Sequence, residues 1–265
     1  MTILHFQEPF LLVLIPVLAA LVMFLMTSTL KKNAEAIVIG TLILWMIQLV
    51  MVLIQWGGHR WIYDVGGWFP MEGIALELHK KFMWEIGVVF LPAIVFYFYT
   101  KSKINRRAPE EKNIILGLWL LCLASLVGML LSDDLMNLFM EMELFFGIAG
   151  ALFLIDQHDT RVFKWDALLL EGSALSCFWI LGLGFFFIKE GEWNQNNFHW
   201  MRPLLAHSQV ILIALGLMMI GSLKLLLLTF HDPSPKRKWR ALLVIPIWFC
   251  IEIQLLEMIL KQLYF

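Results

Sequence analysis

Eight times along the chain about twenty residues pass with hardly a charge: 9–28, 35–56, 82–100, 113–131, 132–155, 166–188, 207–230 and 239–262. A helix needs roughly 20 mostly apolar residues to cross the hydrocarbon core of a bilayer. A segment in lipid must pair its own backbone groups, so these stretches predict helices rather than open strands. A soluble domain of this size would be about a quarter charged, whereas this chain of 265 residues is 60% hydrophobic and 15% charged. The expected fold class is all-α: a polytopic membrane protein of about eight transmembrane helices forming one domain, 1–265. The first apolar run follows the N-terminus directly and reads as a span, not a cleaved signal.

Lysine and arginine set the orientation, because inner loops carry the excess of both. With the N-terminus outside, loops 29–34, 101–112, 156–165 and 231–238, with Arg240 at the next helix start, hold 13 of these residues. The outer segments, with Lys261, hold 6, and the remaining one, Lys224, lies inside the seventh span. The bias predicts both termini outside. The longest outer loop, Gly57 to Lys81, alternates aromatic and polar residues around Gly-Gly and Pro. It predicts a short strand or turn lying on the outer surface, where Trp and Tyr are favoured.

Charge inside a membrane marks function. Glu8, Glu85, Asp133, Asp134 and Glu257 fall near outer ends of spans and Glu171 near an inner end, where water or head groups reach them. Glu143, Lys224 and Glu252 sit deeper, in the fifth, seventh and eighth spans. Each would cost roughly 2.5–3.5 kcal/mol if left uncompensated, so they are expected to face one another or a hydrated path. Glu141 and Glu143 are rotated roughly 160° apart on a helix. Glu143 shares a face with Phe139, Met140, Gly147 and Gly150, whose glycines predict close approach of a neighbouring helix. Glu143 is therefore expected inside the bundle and Glu141 against a different neighbour, with another subunit the expected contact. A buried Glu is pushed toward its protonated form and a nearby Lys pulls it back. Such a pair couples proton movement to a charge moving along the membrane.

Other chemistries have no residues to support them. Cys122, Cys177 and Cys250 lie in apolar stretches without metal-ligand spacing and read as packing residues. There is no phosphate loop, metal cluster or nucleophile motif, so no cofactor and no covalent catalysis are expected of this chain. The net charge of −1 and the absence of a long basic tract give no reason to expect nucleic acid as a partner.

The stretch "DLMNLFMEMEL", Asp134 to Leu144, resembles the fifth-helix signature of the D-type subunit of Mrp cation/proton antiporters. Related subunits of respiratory complex I and membrane-bound hydrogenases share its glutamate, which falls on Glu143. Asp134 and Asn137 fall on the motif's Asp and Asn. "GGWFPMEGIALEL" (66–78), "EGSALSCFWILGLGFFFIKEGEWN" (171–194) and "GSLKLLLLTFH" (221–231) resemble further segments of the family in the same order. The resemblance implies that Glu143 and Lys224 form the pair that drives proton movement, with His231 as a proton-entry residue; Glu252, the third deep charge, is expected to join the relay. It implies an antiporter-like bundle at 132–265, with 1–131 as peripheral helices and the outer-surface loop 57–81.

The departures from the family are specific. The proline that breaks the seventh helix after its lysine is Thr229 here, and the eighth helix's central lysine aligns on Phe249, with Glu252 three residues on. Family members carry about fourteen helices in two inverted repeats, and this chain matches the first eight. The expected function is an integral-membrane subunit of a proton- or cation-translocating complex, carrying part of a proton path. The alternative is a non-conducting scaffold that anchors a larger module. Expected partners are other integral-membrane subunits, membrane lipid, and protons or sodium, and the expected location is a bacterial inner membrane.

Overall fold

A computed structural model describes residues 8–25, 33–56, 61–64, 75–78, 82–156, 165–190, 209–230 and 244–259 except 254, 257 and 258. Helices cover part of every predicted span: α1 (Glu8–Leu25), α2 (Ala34–Trp56), α3 (Phe82–Ile104), α4 (Pro109–Leu131), α5 (Leu135–Asp156), α6 (Trp165–Glu190), α7 (Gln209–Ser222) with α8 (Lys224–Phe230), and α9 (Val244–Ile253). Among the described residues, five stretches are long and apolar enough to cross a membrane. The protein is a multi-pass helical membrane protein.

The helices are apolar on nearly all sides, as helices between lipid and protein must be. Burial separates those at the centre from those at the rim. In α4, 78% of the apolar window is buried, against 28% in α2 and α6. α4 is the most buried of these spans, packed on α1, α2, α3 and α5. Small residues make this possible. A Cβ on Gly117 would lie 2.5 Å from the Phe24 ring of α1. Large aromatics fill the remaining gaps, with Tyr97 of α3 tilted against Trp119 of α4 at 4.7 Å between ring centroids. Trp45 of α2 donates its indole N–H to the Leu12 carbonyl of α1 at 2.8 Å.

The stretch between α2 and α3 contains a hairpin, β1 (Trp61–Asp64) antiparallel to β2 (Ala75–Leu78), with Trp61 opposite Leu78 and Asp64 opposite Ala75. Leu76 makes a further bridge to Ser132, in the turn between α4 and α5. The opposite end of the bundle is held by an ion-pair group. There Glu35 at the start of α2 meets Lys101 at the end of α3 (3.3 Å) and Lys112 in the first turn of α4 (2.5 Å).

The α4–α5 turn explains part of the fifth-helix motif. Asp134 caps α5, its Oδ1 accepting the backbone N–H of Asn137 at 2.5 Å, as N-cap carboxylates do for the third residue of a helix. Asn137 donates its side-chain amide to Ser132 Oγ at 2.7 Å, and Ser132 donates to the Gly128 carbonyl at 2.9 Å. The motif's Asp and Asn therefore fix where α5 begins and how it sits on α4.

Candidate functional site

Glu143 of α5 and Lys224 of α8 meet as an ion pair inside the bundle. The Lys224 side chain is 1% exposed, whereas that of Glu143 is 35% exposed. The lysine is thus committed to protein partners, and the carboxylate keeps one side open. Ser176 of α6 bridges the two. Lys224 Nζ donates to Ser176 Oγ at 2.9 Å, and Ser176 Oγ lies 2.8 Å from Glu143 Oε1. The same hydroxyl lies 2.9 Å from the Gly172 carbonyl one turn earlier. A hydroxyl has one proton to give, so Ser176 serves the carboxylate or its own helix, not both.

The ring of Phe146 completes the surroundings, with Lys224 Nζ 4.7 Å from its centroid, within the range of a cation–π contact. Gly172 admits that ring, since a Cβ there would come within 2.6 Å of it. The close approach expected at Gly147 does not occur: Gly147 has open space beside it, and Gly172 of α6 is where the helices close in.

Lys224 stands at an interruption. The seventh span breaks at Leu223, between the end of α7 and the start of α8. Without a proline, the break rests on Ser222 and a tightened turn. Ser222 Oγ bonds the Met219 carbonyl at 2.7 Å, while Leu223 N–H reaches Ile220 O and Leu226 N–H reaches Leu223 O at three-residue spacing. Serine back-bonding of this kind bends helices. Ser222 also bonds Glu252 of α9. Gly182 and Gly221 press α6 and α7 together: a Cβ on Gly182 would lie 2.7 Å from Ala214 O, and one on Gly221 would lie 2.9 Å from Trp179 N. Two backbones in near contact hold the break beside Ser176.

Of the residues singled out in the sequence, the fold brings Glu143 and Lys224 together. It holds Glu252 on Ser222, two positions before the lysine. Phe249, aligned with the family's lysine, is 56% exposed and faces away from the bundle. His231 lies outside the described residues. Glu141 points away from Glu143, as the helical rotation requires, and its carboxyl packs on α4 of the same chain. It lies over Gly128 of α4, where a Cβ would come within 2.6 Å of Glu141 Cδ. Sequence reasoning missed Ser176, whose only signal was a hydroxyl on the face of the sixth span turned toward the fifth.

No protein-family model matches the chain. Over 179 residues it is 30% identical to NADH-quinone oxidoreductase subunit N of Desulforudis audaxviator, a match covering 67% of this chain and 36% of that protein. Over these residues the chain is homologous to that subunit. It spans little more than a third of the length of that curated relative. Its fold is also that of a chain in the membrane-bound sulfane sulfur reductase, an archaeal respiratory membrane complex. That comparison gives a TM-score of 0.75 and 19% identity, covering 95% of this chain and 53% of the other. A chain of the Mrp complex from a Dietzia species gives a TM-score of 0.69 and 17% identity, covering 98% of this chain and 49% of the other.

Proposed function

We propose that this chain is a membrane subunit of an ion-translocating complex and that it carries one segment of a proton path through Glu143, Ser176 and Lys224. The observation that carries this reading is a wholly buried lysine, placed at a break in a membrane span and held by a half-open carboxylate and a hydroxyl. A merely structural pair would be expected in continuous helix with both partners enclosed.

The chemistry follows from the charges. While Glu143 is ionised it attracts the Lys224 ammonium. At an effective dielectric near 20, two unit charges ~4 Å apart attract by about 4 kcal/mol. A proton arriving at the open side of Glu143 removes that attraction. The Lys224 ammonium is then left to Ser176 and the Phe146 ring. Its own proton becomes easier to pass on, in the direction of Ser222 and Glu252. When Glu143 loses its proton the pair re-forms. Ser176 supports both states, because its hydroxyl accepts from Lys224 whichever way its own proton turns. The proposed topology is eight spans with both termini outside in a bacterial inner membrane. Other membrane subunits would complete the path.

The test is neutral substitution in the assembled complex. Glu143→Gln and Lys224→Met should each leave the complex intact and abolish proton translocation in vesicles. Intact assembly with unchanged translocation would leave the chain as a scaffold.

A further inference from the structure

Glu141 lies across α5 from the pair, on the α4 side. Its Oε2 is buried with no hydrogen-bond partner among the described residues. Its carboxyl occupies the space that Gly128 leaves by lacking a side chain. Any other residue at 128 would fill that space, so the pair Gly128–Glu141 forms a niche for a carboxyl group. A carboxylate with a buried unpaired oxygen in an apolar span carries a large desolvation cost, which a bound proton removes.

The niche has a polar approach. Running from the α4–α5 turn toward the middle of the span, Asp134, Asn137 and Ser132 form a connected set that ends on the Gly128 carbonyl. Gly128 is the residue against which Glu141 rests, and Asn137 lies one helical turn before Glu141 on the same side of α5. Ser125 of α4 is one turn deeper and is bonded to its own backbone at Leu121 and Cys122. Asp133 and Asp134 are the ionisable groups of the turn itself, and buried Cys122 lies on α4 and buried Glu85 on α3, which packs on α4. Glu143, Ser176 of α6 and Lys224 of α8 are on the other side of α5.

We propose that Glu141 is a second proton-binding site of this chain, holding a proton between α4 and α5 and exchanging it with the α4–α5 turn end, separately from Glu143 and Lys224. The proposal rests on the membrane placement of the helices and not on the relay reading. The two can therefore fail independently.

A hydrophobic carbodiimide tests it, because only the neutral acid reacts. The carboxyl O–H adds across one C=N bond, oxygen to carbon and proton to nitrogen. The acyl group then migrates to nitrogen as a stable N-acylurea, with nothing expelled. The native complex in membrane vesicles is treated with dicyclohexylcarbodiimide, and adducts are mapped by mass spectrometry. The expected result is an adduct at Glu141, retained within two-fold in Glu143→Gln. Its yield should fall several-fold as the medium is made alkaline in vesicles that turn the hairpin end outward, and hold steady in vesicles of opposite orientation. Three results would each overturn the proposal: no adduct at Glu141, a yield indifferent to pH at the hairpin end, or loss of the adduct in Glu143→Gln.

Discussion

Removing one charge of the central pair should hurt in proportion to how enclosed the other is. Glu143→Gln leaves the Lys224 ammonium, 1% exposed, without its counter-charge. Breaking a buried pair this way costs roughly 3–5 kcal/mol. Lys224→Met leaves a carboxylate that is 35% exposed and can be hydrated or protonated from its open side. That loss should be roughly 1–2 kcal/mol, closer to an exposed pair. In the double variant Glu143→Gln/Lys224→Met no buried charge remains, so most of the single-variant cost returns. A double-mutant cycle should then show a coupling of roughly 3–5 kcal/mol, at or above the upper end for contacting residues. The assay is thermal unfolding of the purified chain in one detergent. For a chain of this size about 3 kcal/mol corresponds to a shift of roughly 6–12 °C. The order expected is wild type, then the double variant and Lys224→Met close together, then Glu143→Gln lowest. If Glu143→Gln melts with the wild type, or the double variant falls by the sum of the singles, the lysine is not held by the carboxylate and the site has been misread.

Ser176→Ala removes one neutral-to-charged hydrogen bond, worth roughly 1.5–3 kcal/mol, and should slow translocation several-fold in a complex that still assembles. Gly182→Ala sets a methyl 2.7 Å from the Ala214 carbonyl. Overpacking of that kind costs roughly 1–3 kcal/mol and should lower the melting temperature. Gly147→Ala, in open space, should instead hold or raise it, by up to about 1 kcal/mol of helix propensity. Asp134→Ala removes the cap of α5 and should destabilise by roughly 0.5–2 kcal/mol, measured in the same melts.

The spans were legible because lipid leaves a chain so few options, and length with hydropathy is enough to find them. The two sides of α5 were legible for a similar reason: 100° per residue separates Glu141 from Glu143 before any neighbour is known. What each carboxylate touches was not legible. That depends on which helix offers a gap, and Gly128 and Gly172 are ordinary residues until a partner lies over them. The break at Leu223 was hidden too. Proline announces a break in sequence, but Ser222 with a few i→i−3 bonds does not. Ser176 became meaningful only when Lys224 arrived from 48 residues away.

Ser132 joins three parts of the molecule at one residue. Its backbone bridges β2 at Leu76, its hydroxyl is tied to α4 at Gly128, and it receives the amide of Asn137 from the first turn of α5. A load applied to the hairpin is therefore delivered to the start of the very helix that bears both carboxylates. The hairpin acts as a handle on α5.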